Sequence, residues 1–194
     1  MEKKDGKIFI VSAPSGTGKT TLVNSVLGSI GNKYNISKVI TYTNRKPRPG
    51  EKDGVDYNFI SPEEFNEKMK DNFFLETTIY SDKYYGSPAL IKEELKLGKS
   101  FVLLVNREGT KSVCGLLSNP VTIWLEPPSL EVLKSRLLKR GDSHSQIEKR
   151  LNLAEQELKE EKNHRLFKYH IINDVFNKAA DGILQIVETE LSRL

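Results

Sequence analysis

The sequence predicts an α/β protein: a parallel sheet with helices on both faces, interrupted by one inserted lobe. Three observations carry this. First, Ile8-Phe9-Ile10-Val11, Phe101-Val102-Leu103-Leu104-Val105 and Val121-Thr122-Ile123-Trp124-Leu125 are continuous apolar runs. Such runs fit strands buried on both faces of a parallel sheet. Second, helical patterns separate them, as β-α-β crossovers require. Third, Ala13-Pro14-Ser15-Gly16-Thr17-Gly18-Lys19-Thr20 joins the first strand to a helix with Leu22, Val23 and Val26 on one face. Strand, glycine loop, Lys-Thr and helix are the context of a phosphate-binding P-loop. The free N–H groups within residues 13–21, Thr21 included, converge there on phosphate oxygens; Pro14 has none. Lys19 reaches the β- and γ-phosphates, and the Thr20 hydroxyl holds Mg²⁺. The strict motif begins with Gly where this chain has Ala13.

The totals bound the class. At 194 residues and 37% hydrophobic content, the chain can bury one sizeable core. A net charge of +4 suits an anionic small molecule, and no basic tail calls for nucleic acid. One cysteine, Cys114, has no disulfide partner and no metal-ligand spacing, which points to a reducing compartment. No run approaches membrane-spanning length, and Met1 to Lys7 leads into no signal-peptide core. A cytoplasmic protein with no membrane contact and no obligate protein partner is expected.

In chain order, the first strand and P-loop helix occupy about residues 7–30, with Gly28, Gly31 and Asn32 breaking the helix. Val39 to Tyr42 reads as a strand. Residues 44–56, dense in charge, Pro and Gly, cannot be core. Tyr57 to Ile60 reads as a short strand. Ser61-Pro62-Glu63-Glu64 starts a helix with a capping box, and Phe65 and Met69 form its apolar face. Phe73 to Tyr80 is extended and residues 82–86 form a turn. Ser87-Pro88 opens a helix that ends near Gly98. Ser129 caps a helix through about Arg140, and residues 141–145 form a polar loop. A long charged helix follows, with Ile147, Leu151, Ala154 and Leu158 as its stripe. Tyr169 to Ile172 is the last strand. The final helix carries Ile183, Val187 and Leu191.

A P-loop alone specifies a nucleotide and little more. No D-x-x-G of a GTPase follows, and Asn177-Lys178-Ala179-Ala180-Asp181 misses N-K-x-D by one residue. A small-molecule kinase fits better. Arg45 and Arg48 flank Pro47, and two guanidinium forks suit a phosphate, with phenol donors from Tyr57 and Tyr85. An Arg-x-x-Arg on its own is an ordinary solvated loop. Glu76 lies among apolar and Thr residues. A carboxylate there selects a base edge with adjacent N–H donors, which guanine has and adenine lacks; the Thr41 hydroxyl can donate to guanine O6. Arg136, Arg140 and Arg150 surround the 141–145 loop, where lid cations would meet transition-state charge.

Together these residues resemble guanylate kinase over about residues 7–190. V-S-A-P-S-G-T-G-K-T-T-L at 11–22 and T-N-R-K-P-R-P-G-E-K-D-G-V-D-Y-N-F at 43–59 carry the resemblance. Y-Y-G-S at 84–87, R-L-L-K-R-G at 136–141 and I-I-N-D at 171–174 follow in the family's order. The resemblance implies Mg²⁺-dependent phosphate transfer from ATP to GMP or dGMP by a single domain over residues 1–194. Residues 1–38, 95–135 and 161–194 would be its core, 39–94 a GMP-binding lobe of mixed α+β structure and 136–160 a helical lid. It implies GMP contacts from Thr41, Arg45, Arg48, Tyr57, Glu76, Tyr85, Ser87 and Asn106, and an adenine-side position for Asn173. Lys19, Arg136, Arg140 and Arg150 would be catalytic. Two departures stand out. Where the family has acids after the strand at 101–105, this chain has Leu104 and Asn106, and Glu108 is the nearest carboxylate that can substitute. A binding module that has lost catalysis, or a kinase for another nucleoside monophosphate, are the alternatives.

Overall fold

The computed structural model describes residues 5–193; residues 1–4 and 194, which fall within the expected core ranges, lie outside the described residues. In chain order the elements are β1 (Ile8–Ser12), α1 (Lys19–Tyr34), β2 (Ile36–Lys38), β3 (Tyr42–Thr43), β4 (Asn58–Phe59), α2 (Pro62–Lys70), β5 (Phe74–Tyr80) and β6 (Lys83–Pro88). Then come α3 (Ile91–Lys96), β7 (Ser100–Leu104), α4 (Arg107–Leu116), β8 (Val121–Glu126), α5 (Leu130–Lys139), α6 (His144–Asn163), β9 (Tyr169–Ile172) and α7 (Phe176–Leu191).

Five strands form one parallel sheet in the order β2-β7-β1-β8-β9. β1 lies at its centre, so its side chains alternate between two buried faces. Phe9 and Val11 pack with Leu22, Val23 and Val26 of α1 and Ile183 and Val187 of α7. Ile8 and Ile10 pack on the other side with Ile91 and Leu95 of α3 and Val113 of α4. The expected doubly covered parallel sheet is present. Ligands of such sheets bind beyond the carboxyl ends of the strands, and the P-loop leaves the carboxyl end of β1.

The insertion folds around a second sheet, β4-β3-β6-β5. β5 and β6 form a hairpin whose two turn residues, Ser81 and Asp82, both have positive φ (50° and 61°). That is the twist a two-residue hairpin turn requires. Phe65 of α2 stacks on Phe74 at 4.6 Å and on Tyr84 at 5.4 Å, which gives this small sheet its own core. A third cluster, Leu133, Leu137, Ile147 and Ala154, joins α5 to α6.

Several sequence expectations shift. α1 runs on through Gly28, Gly31 and Asn32 and ends on Asn35 at φ 48°. A Cβ on Gly31 would stand 3.1 Å from the Ile36 carbonyl, so glycine there lets β2 turn back against the helix. Of the expected strand at 39–42 only Tyr42 lies in a strand, and residues 39–41 form the link between the two sheets. Ile36–Lys38 joins the large sheet and Tyr42–Thr43 joins the small one. The 82–86 turn is only its first residue, and Ser87-Pro88 closes β6 instead of opening a helix. Pairing of Ser87 with Glu76 across the hairpin overrides the local capping signal. Ser61 caps α2, but Glu64 pairs with Lys68 instead of completing a capping box. Met69 is 38% exposed and leaves Phe65 as the buried anchor.

Candidate active site

The P-loop is shaped by backbone conformation that only glycine adopts freely. Gly16 and Gly18 have φ of 94° and 96°. A Cβ would meet Leu137 at 2.9 Å from Gly16 and Asn173 Nδ2 at 2.9 Å from Gly18. Gly18 caps α1 with no side chain, so the first-turn N–H groups stay available to a ligand. The loop is braced from outside. The Thr17 carbonyl accepts from Asn173 Nδ2 at 2.6 Å and from Arg136 Nη1 at 3.0 Å, while Arg136 Nη2 donates to the Asn173 carbonyl at 2.9 Å. Lys19 Nζ donates to the Val105 carbonyl at the end of β7, 3.0 Å away. Burial lowers the Lys19 pKa to about 8, against a raising pull from the Glu157 carboxylate.

Across the cleft, Arg45 and Arg48 are held by a residue the sequence did not single out. Glu51 accepts from both Nη atoms of Arg45 at 2.8 Å and from the Arg48 backbone N–H at 2.7 Å. Burial alone would raise the Glu51 carboxyl, but these bonds outweigh it and hold it below its ordinary range. The Arg45 guanidinium lies 5.2 Å over the Tyr57 ring, and Tyr57 meets Tyr85 edge-on at 6.0 Å. Burial, followed by the crowding of Arg45, Arg140 and Arg150, lowers the Arg48 pKa. These four guanidiniums, in a cleft that Arg136 also lines, favour a polyanion between them.

Glu76 lies on β5, 6% exposed. Ser87 Oγ donates to its Oε1 at 2.6 Å, while Oε2 is sealed from solvent with no partner. Burial raises its pKa, opposed by the Ser87 hydroxyl and N–H. Asn106 Oδ1 accepts from Gly109 N at 2.8 Å and so caps α4, a helix that the sequence reading did not delineate. Glu108 is no substitute carboxylate: its side chain is 62% exposed and pairs with Lys111 at 2.7 Å. Leu104 packs on the apolar cluster under α1, and its cleft side offers no acid.

On the third side, Asp142 joins Arg140 and Arg150, bonding the first and lying 3.6 Å from Nε of the second. Arg150 Nη1 also donates to Ser15 Oγ of the P-loop. The result is one cleft of about 890 Å³. Residues 13–21, Thr41, Arg45, Arg48, Tyr57, Glu76, Tyr85, Asn106, Arg136, Arg140 and Arg150 all line it. Ser87 stands behind Glu76 and Asn173 behind the P-loop, so these two act as buried braces in this structure. The cleft adds Glu51, Thr78, Tyr80 and Asp142. Glu76, Thr78 and Tyr80 are alternate residues of one strand, a period-two signal legible in the sequence. Glu51 and Asp142 carry no such signal.

Among the described residues, no group of three or more His, Cys, Asp or Glu side chains could hold a metal alone. The site has a glycine loop that leaves the first-turn N–H groups of α1 uncapped, with Thr20 beside them in the cleft wall. This donor set fits Mg²⁺ bound through substrate phosphates and water, with one or two protein oxygens.

The family model for guanylate kinase matches residues 5–190. The chain belongs to the guanylate kinase family. It is 39% identical over 189 residues to the guanylate kinase of Lactiplantibacillus plantarum, covering 96% of this chain and 89% of that one. It is 37% identical to the guanylate kinase of Clostridioides difficile, covering all of this chain and 93% of the relative. The crystal structure of guanylate kinase from Anaplasma phagocytophilum superposes with a TM-score of 0.78 at 27% identity, covering 97% of this chain and 88% of that one. The family's phosphoryl transfer is ATP-dependent and gives the three-sided cleft its chemical context.

Proposed function

We propose that this chain is an ATP:GMP phosphotransferase that converts GMP and dGMP to GDP and dGDP with Mg²⁺. The observation that carries this reading is Glu76: a buried carboxylate with one oxygen held by Ser87 and the other unpartnered beside the cleft. That oxygen matches the N1–H and N2–H₂ donors of guanine, whereas the bare N1 of adenine would repel it. Thr41 supplies a hydroxyl for O6, and Asn106 stands at the amino side of the base. Arg45 and Arg48, aligned by Glu51, take the GMP phosphate with the Tyr57 and Tyr85 phenols as neutral donors.

On the donor side, the P-loop N–H groups of residues 13–21 bind the ATP phosphates. Arg136 and Asn173 keep the loop in shape next to the adenine side. Bound Mg²⁺, held by Thr20 and the phosphates, would offset the charge that builds on the transferring group. Lys19 stabilises the same charge from the strand side, and Arg140 and Arg150, spaced by Asp142, do so from the lid. We assign residues 39–94 to acceptor binding and 136–160 to the lid, with the remainder as core. No helix among the described residues is long and apolar enough to cross a membrane. A reducing cytoplasm suits the free Cys114. ATP and GMP are the expected partners, with no need for nucleic acid or a second protein. A coupled ADP-release assay across GMP, AMP, CMP and UMP tests the assignment. Turnover should be confined to GMP and dGMP; equal rates with AMP would overturn the role of Glu76.

A further inference from the structure

The end of β7 poses a problem. Lys19 is partly buried in the cleft wall, and among the described residues the Val105 carbonyl is its one hydrogen-bond partner. An ammonium has three donors, and burying it without a counter-charge is costly. Leu104 offers no carboxylate, and Glu108 is turned outward to Lys111.

A carboxylate arrives instead from α6. Arg150, Ala154, Glu157 and Glu161 are spaced by four, seven and eleven residues, which puts all four on one stripe of that helix. The stripe is fixed at both ends. Arg150 bonds Ser15 of the P-loop. Glu161, 2% exposed, pairs with the buried Arg107 at 3.3 Å and accepts from the Leu166 and Phe167 N–H groups. Between these anchors lies Glu157, near enough to act on Lys19 electrostatically without forming an ion pair, with Oε2 sealed from solvent and without a hydrogen-bond partner. Burial pushes its carboxyl up to about 7, against the attraction of Lys19 and Arg107 and with repulsion from Glu160 and Glu108.

We propose that Glu157 is the positioning residue for the P-loop lysine, taking over from α6 the task that an acid at the end of β7 would perform. Because Glu157 shares a helix face with Arg150, the contact that brings the arginine to Ser15 also brings the carboxylate toward Lys19. The aim of Lys19 is thereby tied to the seating of α6. The same reading explains how a leucine at position 104 is compatible with an intact Lys19.

This inference rests on the phosphoryl-transfer reading, and the test separates the two. The parent, Glu157→Gln, Glu157→Asp, Leu104→Asp and the double variant Leu104→Asp with Glu157→Gln are compared. Steady-state kinetics, calorimetric titration with GMP and with ATP, and thermal unfolding are measured for each. Glu157→Gln should lower kcat by about tenfold, the loss of one charge–charge interaction. Affinities for GMP and ATP should stay within about twofold, and Glu157→Asp should keep more of kcat than Glu157→Gln. In the Leu104→Asp background, the loss on Glu157→Gln should shrink below about threefold, because a second carboxylate now serves the lysine. A purely structural role in α6 would not be rescued from β7. Parent-like kcat for Glu157→Gln, equal losses for Gln and Asp, or an undiminished loss in the Leu104→Asp background each overturn the inference. A parent that binds GMP and makes no GDP overturns the phosphoryl-transfer reading, and this inference with it.

Discussion

Glu76→Gln puts base recognition to a quantitative test. The two carboxylate oxygens have different neighbours. The Ser87 hydroxyl donates to Oε1 at 2.6 Å, and the Ser87 N–H also favours the charged carboxylate. In the glutamine variant those donors keep the amide oxygen on the Ser87 side, so the NH₂ group takes the place of Oε2, the oxygen assigned to guanine. There it meets the N–H groups of guanine, donor against donor. One charge-assisted bond, worth roughly 1.5–3 kcal/mol, is lost and a buried donor is left unpaired. The combined cost of about 3 kcal/mol corresponds to roughly a 10²-fold fall in kcat/KM for GMP. Stability should move the other way. Burial raises the Glu76 pKa, so the ionised side chain is a cost to the folded state at neutral pH, and its neutral isostere should melt no lower than the parent. The assay is kcat/KM for GMP beside calorimetric binding of ribose 5-phosphate, which has the phosphate and no base. A near-parental kcat/KM, or an equal loss of ribose 5-phosphate affinity, would refute base reading by Glu76.

Three further outcomes follow from the same geometry. Arg140→Ala should depress kcat far more than calorimetric GMP affinity if residues 136–160 form the proposed lid; parallel losses would count against that role. Leu104→Asp with Asn106→Asp should raise kcat or lower the Mg²⁺ needed, with unchanged kinetics and metal dependence as the contrary result. Asp at 106 can still cap α4, but replacing Leu104 costs apolar packing, so Tm should fall by several degrees, about 2–4 °C per kcal/mol. Glu190, bonded by Lys168, Tyr169 and Lys7, has its pKa lowered to about 2 from 4.5. Its contribution to stability is present above the unfolded value and lost as pH falls from about 4.5 to 2. The Tm of Glu190→Gln should be lower than the parent's at pH 7, and the difference should shrink through that window; a constant difference would remove the ion cluster from the acid response.

The fold was legible wherever one local signal sufficed. The apolar runs of β1, β7 and β8 state their burial outright, and the P-loop states both its turn and its helix. Ser61 and Ser129 each cap a helix through the side chain as expected, whereas Ser143, read as part of a polar loop, proves to cap α6. The inserted lobe was harder to read because long-range pairing decides it. Ser87-Pro88 carries a helix-start signal that the β5–β6 hairpin overrules, and β2 and β3 leave one apolar stretch for different sheets. The residues proposed to touch ligand were mostly legible, since Arg45, Arg48 and Glu76 have chemistry that needs a reason. The residues that hold them were not. Glu51, Asp142 and Glu157 sit in charged stretches where sequence offers many equivalent carboxylates, and only the fold selects the one that lies near an arginine or Lys19.

The most direct measurement is a single turnover with ATP labelled at the γ-phosphate, excess GMP and Mg²⁺, with products separated by charge. The label should leave ATP and appear in the β-phosphate of GDP, at a rate that matches ADP formation. Label released as inorganic phosphate, or left in ATP while GMP is bound, would contradict the account.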